Sequence, residues 1–329
     1  MRRRDVLSTG LSWGAIAALG SLPASAQGRY PDQPIRLIVP RAAGGVVDVV
    51  ARLWADQVKS VLGTVVIEDQ GGGGGTIAAA AVARARPDGY TLLAGTSSEL
   101  VINPVIMSAL PYDPVRDLAP IVTTAVSVSA LMVHESLPVH TLQELIAYAK
   151  ANPGKLSYGS AGVGTSSHLC GELFKQLAGL PDVVHVPYKG ANPGLVDFYA
   201  GHLPMFAASI SPQVLDMHRA GRIRILVAGT DRRIVGAPDI PISTEVGFPD
   251  LITLMFMGVF APAGTPRSII EQVAGATHQV MADQQFQQRL ILAGFEPVTD
   301  SGPEQTAKFI REELVRWTPL LKASGLKMN

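Results

Sequence analysis

Residues 35–96 read IRLIVPRAAGGVVDVVARLWADQVKSVLGTVVIEDQGGGGGTIAAAAVARARPDGYTLLAGT, and this stretch decides the fold. Short runs rich in β-branched residues, IRLIV, TVVIED and YTLLAGT, read as strands. Between them lie VVDVVARLWADQVKSVL, with apolar residues every three to four positions, and TIAAAAVARARP, both of helical character. Strands alternating with helices of this length build βαβ units, and therefore a parallel sheet with right-handed crossovers.

The same alternation returns downstream. Residues 141–154, TLQELIAYAKANPG, form a helix with Thr141 as N-cap, Glu144 completing a capping box and Pro153-Gly154 as the stop. KLSYGS, SSHLCGELFKQLAGL, DVVHVPY, ANPGLVDFYAG, LPMFAAS, SPQVLDMHRAG and RIRILVAGT then alternate strand and helix, which predicts a second α/β unit. Between the units, a proline-interrupted stretch leads into AVSVSALMVHE, an extended run long enough to cross from one to the other. LITLMFMGVFAPAGTP is a second extended run that returns the chain. From Arg267 onward come two helices, a short FEPVT strand and a terminal helix from Pro303 to about Lys322, expected to pack on the first unit. The pattern predicts a two-lobed α/β clamshell with a cleft, a mixed sheet in each lobe and two hinge crossovers. Lobe 1 comprises 27–127 and 255–329, and lobe 2 comprises 128–254.

At the other end, Met1–Arg4 is basic, Leu11–Leu22 is apolar, and Ala24-Ser25-Ala26 has the small-x-small form of a cleavage site. Residues 1–26 therefore read as a secretory signal peptide, too short in its apolar part for a spanning helix, and point to the periplasm. Arg3-Arg4-Asp5-Val6-Leu7 is similar to the twin-arginine signal.

Charge and cysteine content exclude several classes. The 27 basic and 27 acidic side chains balance, so no electrostatic footprint for nucleic acid exists. Cys170 is the single cysteine, which rules out an intrachain disulfide and a thiolate zinc cluster and leaves a small buried hydrophobe. Gly71–Gly75 sits where a phosphate loop would, yet Thr76-Ile77 follow it, so neither a Walker loop nor a dinucleotide fingerprint fits. What remains is a turn, or a loop whose amides suit a small anion at a helix N-terminus. Pro40–Gly45 and Ser160–Ser167 are two more strand-to-helix loops of this kind, with Asp48 as ligand contact or as cap for its helix. No GxSxG elbow or HExxH motif is present. His168 and Glu172, at i and i+4, read as a hydrogen-bonded helix pair rather than a metal site.

YPDQPIRLIVPRAAGGVVDVVAR, RPDGYTLLAGTSS, LPYDPVRDLAPI, ELIAYAKANPGKLSYGSAGVGTSSHL, VHVPYKGANP and VFAPAGTPRSIIEQ follow one another in this order. Together they resemble the Bug-type periplasmic solute receptors, the substrate-binding proteins of tripartite tricarboxylate transporters. The resemblance implies a type II periplasmic-binding fold that closes over a small carboxylate, or a related amino or aromatic acid, through main-chain amides and water. It implies no catalysis and no cofactor, with membrane permease subunits as partners; no metal and a monomer are expected besides. A sensor or scavenger subunit is the alternative, with a hydrolytic enzyme on the same fold a third. The family's loops fall on Ala42–Asp48, Gly162–Ser167 and Val186–Gly190. The candidate ligand residues are Arg41, Ala43, Gly44, Gly45, Asp48, Gly74, Thr96 and Ser97 from lobe 1. Lobe 2 adds Gly162, Gly164, Thr165, Ser166, Tyr188, Lys189 and Ala208. Arg41 stands where the family usually has Phe, Val46-Val47 where a Pro/Ala-Thr pair is common, and Asp69-Gln70 where Asn-Arg is usual. Ala208 aligns near a position where several members carry Asp. The two charge-altering departures predict a dicarboxylate or aromatic carboxylate in preference to a zwitterion, unless Arg41 turns to solvent or pairs with a surface acid such as Glu99.

Overall fold

Strand β1 (Ile35–Val39) buries four of its five side chains, as a strand covered on both faces must. The computed structural model describes residues 30–41 and 43–323, so the expected signal peptide with Arg3-Arg4, and Ala42, lie outside the described residues. Helix α1 (Val46–Leu62) buries Val47, Val50, Ala51, Trp54, Ala55, Val58 and Leu62, one face at helical spacing. β2 (Val65–Asp69), α2 (Thr76–Ala83) and β3 (Thr91–Thr96) follow as the alternation predicts. A π-type turn over Ser98–Ile102 then leads into the one-turn helix α3 (Asn103–Ile106).

Strand β4 (Leu118–His134) runs for 17 residues and belongs to both lobes. The second unit continues with α4 (Leu142–Ala151), β5 (Ser157–Ser160), α5 (Ser166–Ala178), β6 (Val184–Pro187), α6 (Ala191–Tyr199), β7 (Met205–Ser209), α7 (Pro212–Arg219) and β8 (Ile223–Ala228). β9 (Leu254–Pro262), α8 (Arg267–Met281), α9 (Gln284–Leu292), β10 (Glu296–Pro297) and α10 (Pro303–Ala323) complete the chain. The predicted cap on α4 is present: Thr141 Oγ1 accepts the Glu144 amide, while the Glu144 carboxylate returns to the amide of His140 rather than of Thr141.

Each lobe has a mixed sheet. In the first, β2, β1 and β3 are parallel, and β9 and then β4 join antiparallel, with β10 on β4. In the second, β6, β5 and β7 are parallel, and β4 lies antiparallel to both β7 and β8. Leu118–Val128 of β4 pair with β9, whereas Ser129–Val133 pair with β7. The return crossing is shorter than the extended run suggested, because β9 pairs wholly within the first sheet from Leu254 onward. It is laced to β4 through three backbone bonds: Ser129 N to Thr253 O, Gly229 N to Ser129 O and Thr253 N to Gly229 O, at 2.8–3.0 Å.

The C-terminal helices pack as expected on lobe 1, where Trp54 Nε1 donates to Thr277 Oγ1 at 3.1 Å. The end of α10 does more. Trp317, Leu320 and Leu321 line a groove of about 570 Å³ with Leu169, Glu172 and Leu173 of α5, so the terminal helix also reaches the second lobe. The expected FEPVT strand shrinks to two residues because Pro297 has no amide to donate.

Candidate ligand-binding site

The carboxyl ends of the parallel strands in both lobes meet at one place. Thr96, the last residue of β3, pairs with Met257, whose other neighbour is Ala125 of β4; Ser209, the last of β7, pairs with Ser129 of β4. Open α/β sheets bind ligands outside these ends. Here the two edges converge on the stretch of β4 from Ala125 to Ser129, where it crosses between lobes. Ser127 and Ser129 lie in that crossing with buried hydroxyls that find no partner among the described residues.

In lobe 1 the loop after β1 enters α1 at Gly45, an N-cap without a side-chain hydrogen bond. The first-turn amides of α1 have no intrahelical acceptors, and the helix dipole adds positive potential there. Asp48 was a candidate ligand contact, but its Oδ2 accepts the Gly44 amide at 2.7 Å and its Oδ1 lies 2.7 Å from Arg52 Nε. It shapes the loop. Burial opposes its ionisation, yet Arg52 and the Gly44 amide hold its carboxyl below the usual range. Burial and the Asp48 charge push Asp69 up.

Thr96 and Ser97 are spent inside the protein as well. The Thr96 amide and hydroxyl both donate to Glu99 Oε2, and Ser97 Oγ accepts the Phe256 amide at 3.0 Å. Glu99 is fully buried, and its Oε1 takes Arg41 Nη1 at 2.6 Å. Arg41 therefore does pair with Glu99, although that acid belongs to the interior rather than the surface. The glycine run is packed against this pair: a Cβ on Gly75 would lie 2.0 Å from Glu99 Oε1 and 2.5 Å from Arg41 Nη1. Gly74 presents its carbonyl to Asn103 Nδ2 at 3.0 Å, so its contact is with the protein.

In lobe 2 the two loops singled out in the sequence are bonded to each other. Tyr188 N donates to Ser160 O and Gly190 N to Ala161 O. Thr165 caps α5 by accepting the His168 amide, and Gly164 N donates to His168 Nδ1 at 3.2 Å. Ala161 N goes to Ser167 Oγ and Gly162 N to Ser160 Oγ. Ser166 and Val163 remain partly or fully exposed at this helix start, Lys189 is exposed, and Tyr188 Oη donates to Asp197 at 2.7 Å. Ala208 does not join them. It is 2% exposed and packs in the core with Ala130, Phe198 and Phe206, because alternate strand residues face opposite sides. Ser209, one position on, is partly exposed.

The predicted His168–Glu172 hydrogen bond gives way to a different arrangement. Glu172 takes Tyr158 Oη at 2.8 Å and Lys175 Nζ at 2.9 Å, while His168 stacks on His185 at 4.1 Å and His185 on Tyr158 at 4.8 Å. Among the described residues no group of three or more His, Cys, Asp or Glu is placed to hold a metal ion, and no helix is long and apolar enough to cross a membrane. Cys170 is fully buried, and burial pushes its thiol up to about 11.

Residues 50–326 match the family described as Tripartite tricarboxylate transporter family receptor. The chain belongs to this family. BugT of Bordetella pertussis is 32% identical over 319 residues, which cover 95% of this chain and 96% of BugT. The solved structure of the periplasmic binding protein BugD is 30% identical with a TM-score of 0.77, covering 91% of this chain and all of BugD. The structure titled R. palustris Rpa4515 with adipate is 32% identical, with a TM-score of 0.80, covering 91% of this chain and 99% of the other. The receptor thus has the two-lobed α/β fold of the Bug-type periplasmic binding proteins.

One residue beside the candidate site escaped the sequence: His185 sat unmarked inside DVVHVPY, whereas Glu99 was named as a partner for Arg41 but as a surface acid rather than a buried one. His185 matters because Ser160 Oγ bonds its Nε2 at 2.7 Å, tying the stack to the end of β5, where the candidate loop begins. Burial, reinforced by His168, lowers His185 to about 4, and burial lowers His168 too. In the unfolded chain both titrate near 6.5, so between about pH 6.5 and 4 the unfolded state binds more protons. Stability therefore falls as pH drops through that window, by about 1–2 kcal/mol once solvent screening of the partly exposed ring is allowed for. Denaturant titrations at pH 7.5 and 5.0 read this loss, and a His185→Gln variant with an undiminished loss would refute the assignment.

Proposed function

We propose that the chain is a periplasmic receptor that binds a small carboxylate in the cleft between its lobes and delivers it to the membrane permease of a tripartite tricarboxylate-type transporter. The observation that carries this reading is the convergence of both sheets' carboxyl edges on Ser127–Ser129 of β4. The loops that enter α1 and α5 each follow the carboxyl end of a parallel strand, a placement that supports amides from two lobes serving one anion. The adipate named with the R. palustris relative supports a carboxylate as ligand. The lobes are residues 30–127 with 255–323, and 128–254, after export by the signal in residues 1–26 and its Arg3-Arg4 pair. Within the site the contacts are the loops at Ala43–Gly45 and Gly162–Ser166, with Arg41, Tyr188 and Lys189 at their edges. The protein acts by binding and closing, without turnover or cofactor, as a monomer that meets its permease through the closed form.

A site divided between lobes is completed when they meet, so ligand selects the closed state. Calorimetry of the mature protein against a panel of mono-, di- and tricarboxylates is expected to find at least one acid that binds stoichiometrically. With that acid, small-angle scattering is expected to show a smaller radius of gyration. Saturable binding with an unchanged radius would argue for a one-lobe pocket, and conversion of a carboxylate ester or amide to product would overturn the receptor reading.

A further inference from the structure

We infer that Arg41 is the subsite for a second carboxylate of the ligand and that the buried Glu99 is the positioning residue that holds it there. The inference rests on the carboxylate-receptor reading and adds to it the ligand class, an acid with a carboxylate at each end.

The guanidinium is used on one side only. Arg41 Nη1 donates to Pro40 O and to Glu99 Oε1, both at 2.6 Å. Nε and Nη2 make no hydrogen bond to any described residue, and the side chain is 31% exposed. That free edge carries the parallel pair of N–H groups on which a carboxylate sits bidentately. A lysine has no equivalent.

The edge is also held in place. Glu99 is fully buried, and its second oxygen is tied to the Thr96 amide and hydroxyl, so the acid is fixed to the end of β3. On the other side Gly75 closes against the pair with no space for a methyl group. An ordinary surface arginine must lose side-chain freedom when it grips a ligand, at about 0.5–1.5 kcal/mol. In Arg41 most of that ordering precedes binding.

Stability gives no reason for Glu99 to be there. A buried ion pair is commonly replaced by apolar residues without loss, because desolvation offsets the attraction. Removing one partner is what costs, so the acid makes sense as an anchor for the arginine. The pair is neutral in sum, which leaves little long-range field. Recognition by this edge is short-ranged and geometric, and its effect on association rate is nearly independent of salt. Arg41 lies two residues past the end of β1 and α1 begins five residues beyond it at Val46, so one lobe offers two anion contacts in a single loop.

The test is calorimetry on matched pairs that differ by one carboxylate: succinate with butanoate, adipate with hexanoate, terephthalate with benzoate. The diacid of at least one pair is expected to bind tenfold or more tighter than its monoacid. Arg41→Met is expected to bring that diacid to the affinity of the monoacid, and Arg41→Lys to restore less than a third of the difference. Glu99→Gln keeps the arginine and frees it, so it is expected to weaken the diacid several-fold while moving the monoacid less than twofold. A merely structural Glu99 would weaken both alike. Equal affinity within every pair, or an Arg41→Met protein that keeps the preference, overturns the inference and leaves the receptor reading standing. Failure of all six acids to bind overturns both.

Discussion

Gly75→Ala is expected to lower unfolding free energy by about 3–5 kcal/mol and to remove the preference for a diacid over its monoacid. Gly75 has φ +93°, where a residue with a side chain pays about 1–2 kcal/mol for the left-handed backbone. The larger part is steric and electrostatic. The new methyl would stand 2.0 Å from Glu99 Oε1, and Glu99 cannot retreat because its other oxygen is bound to Thr96. Either the loop moves or the ion pair opens, and an opened pair leaves a buried charge uncompensated, at about 3–5 kcal/mol. Gly179→Ala isolates the backbone component, since Gly179 is also left-handed, at φ +64° and ψ +48°, with nothing within 4 Å of a Cβ. Denaturant midpoints that fall equally for the two variants would show that Gly75 is merely a turn.

Gly171→Ala is expected to destabilise the second lobe by about 2–4 kcal/mol. In a helix interior this substitution ordinarily gains about 1 kcal/mol. In α5, however, the Cβ would fall 2.1–2.7 Å from three ring atoms of Tyr158, itself 1% exposed and stacked on His185. Overpacking of this kind forces off-rotamer side chains and backbone shifts. Displacing Tyr158 also disturbs the stack that holds Ser160 and the loop after β5, so affinity is expected to fall with stability. Gly275→Ala in α8 is the control, because nothing lies within 4 Å of its Cβ, and it should stabilise. The two variants are therefore expected to shift the melting temperature in opposite directions, and a stabilised Gly171→Ala protein would refute the clash. Pairing it with Tyr158→Ala should recover part of the loss, as coupled neighbours do in a double-mutant cycle.

Both glycines were visible in the sequence, but neither of their reasons was. Gly75 looked like part of an anion loop because it sits between a strand and a helix. It is glycine because an arginine and a glutamate 58 residues apart meet beside it. Gly171 lies inside the helix expected for SSHLCGELFKQLAGL, and the Tyr158 ring from β5 leaves no room there for a Cβ. Asp48, Thr96 and Ser97 had the right chemistry in the right loops, yet each hydrogen-bonds the protein itself. The converse holds for Ala208, whose place on β7 turned it to the core.

The sequence by itself determined the two-lobed α/β architecture, the long shared strand, the capped start of α4 and the strand-to-helix loops at Pro40–Gly45 and Ser160–Ser167. Those features are written in local periodicity and in residues three or four apart, where helix and strand geometry fixes which side chains are neighbours. Tertiary structure alone decided which polar groups remain free. Whether Arg41 offers a bare guanidinium edge, or His168 bonds a glutamate or a glycine amide, depends on segments brought together from across the chain. Burial then sets the outcome, because a polar group shut away from water takes whichever partner the packing supplies.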